Sequence, residues 1–312
     1  MIYIGVDLGG TSIKIGLVRA DRLLAQTEIE AQAPVRFEIV LPRIAAAIKA
    51  LLVAQADDAQ PGGIGISFPG IVDDLNRKIL SGYVKYPGAH EVDLPAWARE
   101  TWGIPLALEN DARAALVAEW QFGAARGYRH AVLMTLGTGV GSAVLMDGRL
   151  LRGAHHMGGN LGGHMVIQYR GHACNCGSRG CLETEASTWA LPARYGKDSR
   201  LPGSLLSDAN PLDFRAVFAA SDAGDALATE IRDHSLQAWA AGAINLVHAF
   251  DPEVLILGGG IMRSGGQIAA FVRHHLDTYS WLPPGTVQVL PAQQAQDAGL
   301  LGMAYLAKQA RF

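Results

Sequence analysis

The sequence predicts an α/β fold in two related halves, on three observations. Short apolar runs of strand length alternate with helical stretches along the chain. A strand, a glycine-rich turn and a second strand open the sequence, and the same arrangement returns near its middle. The length, 312 residues, suits two domains at roughly 150 residues each.

Each element follows from local pattern. Tyr3–Val6 reads as a strand running into Asp7-Leu8-Gly9-Gly10-Thr11, after which Ile13, Ile15 and Leu17 alternate with Lys14 and Gly16 at strand period. Leu41–Ala56 is helical by composition, and Ile64–Phe68 is a short buried strand ended by Pro69-Gly70. Pro95–Thr101 forms a short helix stopped at Gly103. Leu106–Leu108 then delivers Glu109-Asn110-Asp111 to a helix over Ala112–Phe122. The second hairpin runs from Ala131–Met134 through Leu136-Gly137-Thr138-Gly139-Val140-Gly141 to Ala143–Met146. Residues 153–187 are rich in Gly, His and Cys with little periodicity, and 198–213 reads as a polar, exposed loop. Asp225–Phe250 is one long helical stretch broken by Asp251-Pro252. Val254–Leu257 is a strand entering Gly258-Gly259-Gly260, and Ala298–Lys308 is a closing helix.

Composition excludes several functions. With 26 basic against 29 acidic residues there is no basic field for nucleic acid. No run of about 18 apolar residues is present to span a membrane. The start lacks a basic leader and carries Asp7 and Lys14, so no signal peptide is expected and the location expected is cytoplasmic. The three cysteines all lie between 174 and 181, which suits reduced thiols available to a metal better than a disulfide framework.

Gly137-x-Gly139-x-Gly141 is followed by a strand, not a helix, which argues against a dinucleotide fold. Each hairpin tip alone reads equally as a turn needing positive φ. Together they suggest phosphate binding. Asp7 offers a carboxylate to Mg²⁺, and Gly9, Gly10 and Thr11 offer bare N–H groups and a hydroxyl to phosphate oxygens. Gly258, Gly259 and Gly260 suit close approach of a flat nucleoside. His164, Cys174, Cys176 and Cys181 form a closed set for a structural Zn²⁺, the alternative being ordinary reduced thiols. Asp111 is the candidate base for phosphoryl transfer, with Asn110 positioning the acceptor; a helix cap is the competing role for this pair.

In this order, the motifs Asp7–Thr11, Glu109–Ala112, Leu136–Gly141, Cys174–Glu183 and Phe250–Gly260 make the chain resemble the ROK family of sugar kinases and sugar-responsive repressors, over essentially its whole length. The resemblance implies an actin-like (ribonuclease H-like) two-domain ATPase fold with an interdomain cleft that holds the sugar. Its smaller domain would span 1–111 plus the C-terminal helix 299–312, and its larger domain 112–298. It implies ATP as donor, catalytic Mg²⁺ and structural Zn²⁺. Gly9, Gly10, Thr11, Gly137, Thr138 and Gly139 would meet the phosphates and Gly258–Gly260 the nucleoside. Asp111 would act as base, with Asn110, His164 and Glu183 on the sugar. The acceptor implied is the 6-hydroxyl of a hexose or hexose derivative, and the assembly implied is a homodimer.

Two departures stand out. The family's usual Glu three residues before the zinc histidine is replaced by Leu161, or by Asn160 with a one-residue shift, so a charged acceptor is gone. Lys85-Tyr86-Pro87-Gly88 stands near the usual Asn-x-x-Gly-Trp sugar loop. The kinase chemistry is complete while the choice of sugar does not carry over. The rival readings are a sugar-sensing regulator, for which Asp7 lies too near the start to leave room for a DNA-binding head, and a catalytically weak sugar-binding protein.

Overall fold

The computed structural model describes residues 1–55, 60–80 and 85–312. They form two compact units: Met1–Arg126 with Ala154–Met157 and Gln296–Phe312, and Gly127–Gly153 with Gly158–Ala295.

The first unit is built on strands β1 (Ile2–Leu8), β2 (Ser12–Arg19) and β3 (Arg22–Glu30), with helix α1 (Phe37–Ala54) following. Next come β4 (Pro61–Phe68), the short β5 (Val72–Asp73) and β6 (Lys78–Ile79), helix α2 (Leu94–Trp102), β7 (Leu106–Asn110) and α3 (Asp111–Phe122). The five-stranded sheet runs β3-β2-β1-β4-β7, antiparallel through the hairpins and parallel from β1 to β7. Helix α1 begins at Phe37, four residues before the expected Leu41, and so carries Pro42 inside it. Fully burying Phe37 and Val40 contributes about 1.5–3 kcal/mol each, enough to outweigh the roughly 3 kcal/mol cost of the proline. The expected end at Ala56 lies outside the described residues. Helix α2 is capped by Asp93, which accepts from Ala96 N–H at 2.9 Å, and it stops at Gly103, whose φ of +67° is left-handed.

The second unit repeats the plan. Strands β8 (Ala131–Leu136), β9 (Val140–Met146) and β10 (Arg149–Leu150) precede helices α4 (Leu182–Ala186), α5 (Ala190–Tyr195), α6 (Phe214–Asp222) and α7 (Ala226–Phe250). Then follow β11 (Val254–Gly258), α8 (Ile268–Tyr279) and β12 (Gln288–Pro291). The sheet order β10-β9-β8-β11-β12 matches that of the first unit, again with an antiparallel side and parallel strands from β8 to β12. The two glycine-tipped hairpins thus occupy equivalent places. Helix α7 forms the spine of this unit's core through the fully buried Trp239, whose indole N–H donates to Ala186 O at 2.7 Å. In the segment 198–213, read as exposed, Leu206 is buried in the same core.

The closing helix α9 (Ala298–Gln309) belongs to the first unit. It lies directly on β1 and β4 because Gly5, Gly63 and Gly65 have no side chains: a Cβ at Gly63 would come within 2.8 Å of Ala307 O, and one at Gly5 or Gly65 would meet backbone of Leu300 or Met303. On its other side a Cβ at Gly302 would run into Ala114 O, so α3 packs tightly against α9. This packing draws α3 into the first unit, and the change of unit falls at Arg126/Gly127 instead of at Asp111/Ala112. Among the described residues, no helix is long and apolar enough to cross a membrane.

Candidate active site

In the first unit the parallel strands bring the polar residues to one sheet end. Asp7 is in register with Ser67, Ser67 with Glu109, and Phe68 with Asn110. The Ser67 hydroxyl donates to Asp7 Oδ1 at 2.5 Å, and the Asp7 carboxyl packs on Gly299, where a Cβ would lie 2.7 Å from Oδ2. Carboxyl ends of parallel strands are where open α/β sheets bind ligands.

Asn110 is the cap of α3. Its side-chain oxygen accepts from Ala112 N–H at 3.0 Å and Arg113 N–H at 3.2 Å, while its amide donates to Gly70 O at 3.1 Å and to Asp111 Oδ1 at 2.9 Å. One side chain therefore both caps the helix and holds the Asp111 carboxyl. Below them, Glu109 and Arg113 are fully buried with Arg113 Nη1 3.7 Å from Glu109 Oε1, and Arg113 Nη2 donates to His156 O at 3.0 Å. Glu109 Oε1 also accepts from Asn110 N–H at 2.9 Å, which fixes the backbone that carries the site.

Asp111 keeps a solvent-exposed surface at the first turn of α3. Desolvation by the atoms packed around its carboxyl, and behind it the charge of Asp7, raise its pKa to about 6, against the lowering effect of the Ala112 N–H and the Asn110 amide. A carboxyl poised there is deprotonated at neutral pH yet more basic than an ordinary aspartate, as a general base requires.

In the second unit the parallel pair β8–β11 places the second hairpin tip beside the triple-glycine turn, with Leu257 opposite Met134 and Gly258 opposite Thr135. Gly259, at φ +91°, presses on the end of β8: a Cβ would lie 2.6 Å from Leu136 N and run into Leu136 O. The tip itself is held from α4. Glu183 Oε2 accepts from Val140 N–H at 2.9 Å, Glu183 Oε1 accepts from Trp189 Nε1 at 3.0 Å, and a Cβ on Gly139 would come within 2.5 Å of the carboxylate. Gly137 O and Thr138 O accept from Thr188 and Trp189 N–H at 3.1 Å each. Gly9, Gly10, Gly137 and Gly139 all lack positive φ, and at Gly9, Gly10 and Gly139 a Cβ would crowd its neighbours, so those three glycines answer to space and not to handedness.

His164, Cys174, Cys176 and Cys181 come together with all four ligand atoms within 4.8 Å of one another. His164 Nδ1 is 3.6 Å from Cys174 Sγ, and Cys176 Sγ is 3.7 Å from Cys181 Sγ. A tetrahedral Zn²⁺ with Zn–S near 2.3 Å and Zn–N near 2.0 Å has edges of about 3.5–3.8 Å, so the set fits this ion, and the cysteines are free thiols. Gly177 at φ +90° and Gly180 at φ +67° turn the loop that returns Cys181 to its partners. Burial pushes the Cys174 thiol up to about 12 and the Cys181 thiol upward too. Cys176 is lowered, because the Ser178 N–H and the neighbouring thiols outweigh its own burial. A cation is what would make all three thiolates at neutral pH.

The sites expected from sequence thus fall into two groups. Asp7, Gly9, Gly10, Thr11, Asn110 and Asp111 lie in the first unit, and the second hairpin, Gly258–Gly260, Glu183 and the metal set lie in the second. Glu183, expected on the sugar, has both oxygens engaged, one by the second hairpin and one by the Trp189 indole that leads into α5. Leu161 precedes His164 with 39% of its surface exposed, and its carbonyl accepts from His164 N–H at 2.9 Å. Sequence reasoning missed Ser67 and the Glu109–Arg113 pair; the pair's four-residue spacing at a helix start was the available signal.

Comparison with known proteins shows the family of the chain. The ROK family model matches residues 3–310. The glucokinase of Thermotoga maritima is 38% identical over 98% of this chain and 97% of its own. The N-acetylmannosamine kinase of Citrobacter koseri is 32% identical over 99% of both chains. Among solved structures, a ROK family glucokinase from Streptomyces griseus in complex with glucose and AMPPNP is 30% identical, covers 99% of this chain and 100% of its own, and superposes with a TM-score of 0.78.

Proposed function

This chain belongs to the ROK family, with the actin-like ATPase fold of its kinases, and we propose that it transfers the γ-phosphoryl group of ATP to the 6-hydroxyl of a hexose or hexose derivative, with Asp111 as the general base. It is an ATP:sugar phosphotransferase, as its full-length relatives are sugar kinases at up to 38% identity. The observation that carries the assignment of the base is the raised carboxyl of Asp111 held by the Asn110 amide.

Asp111 takes the hydroxyl proton as the sugar oxygen bonds to the γ-phosphorus and the bond to the bridging oxygen breaks, leaving ADP and a sugar phosphate. Asn110 holds Asp111 and the helix end, and it is assigned to the acceptor hydroxyl. Asp7 would hold Mg²⁺, which when bound neutralises phosphate charge. Gly9, Gly10 and Thr11, and in the second unit Gly137, Thr138 and Gly139, present backbone and hydroxyl donors to phosphate oxygens. Gly258–Gly260 admit the nucleoside. His164 and Glu183 are assigned to sugar hydroxyls, with the metal set fixing His164 through Nδ1 and leaving Nε2 for the substrate. The exposed Leu161 side chain offers no hydrogen bond, so acceptors that present little polarity there are favoured. A homodimer completes the reading.

ADP release measured over hexoses, amino sugars and β-glucosides, with the product identified by phosphorus NMR, tests this. Turnover giving a 6-phosphate is expected with at least one sugar. No turnover with any of them, despite binding of Mg·AMPPNP, would falsify the kinase reading and favour a sugar-binding regulator.

A further inference from the structure

We propose that Lys85 is a phosphate-binding residue of the first glycine turn, contributing a fixed positive charge to the phosphoryl oxygens; the assignment rests on the kinase reading above. The neighbouring Tyr86 ties this segment to the turn. Tyr86 is fully buried, its ring edge-on to Phe37 at 5.7 Å between centroids and tilted against Phe68 at 6.1 Å. Its hydroxyl donates to Gly9 O at 2.5 Å. The backbone on either side is fixed as well, since Lys85 O accepts from Val35 N–H at 3.3 Å and Pro87 O from Phe37 N–H at 3.0 Å. The segment is thus riveted to the core of the first unit and to the turn at once.

From that fixed backbone the Lys85 side chain runs across Gly10. A Cβ on Gly10 would lie 2.6 Å from Lys85 Cδ and 2.7 Å from Cε, and it would collide with Nζ. The φ of Gly10 is not positive, so the space taken by the lysine is what the absent side chain provides. Gly9 is constrained by its own turn instead, where a Cβ would lie 2.6 Å from Ser12 O.

Charge gives this placement its meaning. The charge of Asp7 already raises the Asp111 carboxyl, and a triphosphate entering beside the two adds several negative charges. The Gly9–Gly10 turn supplies only dipoles against that repulsion. Lys14, opposite Asp7 in the β1–β2 register, directs its ammonium to Gln296 O at 3.3 Å. Lys85 is the lysine laid over the turn itself, and a compact ammonium there offsets charge on oxygens of the transferring group.

The test is calorimetric titration of wild type, Lys85→Met and Lys85→Arg with Mg·AMPPNP and with AMP, alongside kcat and KM for the best sugar. Lys85→Met is expected to lose about tenfold or more in affinity for Mg·AMPPNP while its AMP affinity changes by less than about twofold. Lys85→Arg should recover most of the loss, and kcat should fall in Lys85→Met with sugar KM little changed. Unaltered Mg·AMPPNP binding by Lys85→Met, or a change confined to sugar KM, would overturn the assignment and leave the kinase reading standing. Wild-type protein that binds Mg·AMPPNP no better than AMP would overturn both.

Discussion

The Asn110 side-chain amide donates to Asp111 Oδ1 at 2.9 Å while its oxygen caps the helix that Asp111 begins. One residue therefore secures the helix end, worth about 1 kcal/mol in a typical cap, and sets the direction of the neighbouring carboxylate. Replacing Asn110 by Ala removes both. Replacing it by Asp keeps the cap acceptor, removes the amide donor and adds charge beside Asp111. Asn110→Asp should thus retain most of the wild-type melting temperature yet lose turnover, whereas Asn110→Ala should lose both. Equal losses of turnover and stability in the two variants would show that capping is its whole role.

The raised carboxyl of Asp111 links activity and stability to pH with opposite signs. A base works when deprotonated, so kcat/KM should decline along a one-proton limb centred at about 6 as pH falls. For stability, a folded-state pKa above the ordinary 3.8 favours the folded state below that value, and the gain is lost as pH rises through about 6. Asp111→Asn should therefore melt higher than wild type at pH about 8, with the gap closing toward pH about 4. A gap independent of pH would mean that the carboxyl is not strained in this way.

The metal set predicts a stoichiometry. Metal analysis should find about one zinc per chain, and removal by a chelator should lower the melting temperature, since closed Cys₃His sites hold their loops by the ion. Cys176→Ser should lose the metal as well. A metal-free preparation with wild-type stability and turnover would refute a structural zinc.

Glu183 joins the metal segment to the second hairpin through Val140 and Trp189. Truncating it to Ala leaves the buried Val140 N–H without this acceptor, at a cost of about 1–3 kcal/mol. The same variant should raise KM for ATP. Denaturant unfolding and steady-state kinetics check both effects, and a change in sugar KM alone would return Glu183 to a purely sugar-binding role.

Much of this molecule is legible in its sequence, for identifiable reasons. The two hairpins, the strand before Gly258 and the long helix α7 carry strong local periodicity, and the Cys and His spacing is specific by itself. Strand β3 escapes the pattern because its alternation is only half-buried, as suits a sheet edge. Helices α6 and α8 escape it although each buries one apolar face, because neighbouring Gly and Pro residues obscure their limits. The start of α1 is hidden by Pro42, whose cost tertiary burial overrides. At the site, motif spacing picks out the candidate residues but not their supports. Ser67, Tyr86 and the Glu109–Arg113 pair act through strand register and buried contact, which local pattern does not encode. The reason for the paired glycines also changes, from handedness to room for neighbours.

The most direct test is turnover by Asp111→Asn, set against wild type with the best acceptor from the sugar panel. With Asp111 as base, kcat should fall by about 10²–10⁴-fold while calorimetric affinity for the sugar and for Mg·AMPPNP stays close to wild type. Turnover of the Asp111→Asn variant at the wild-type rate would contradict the account.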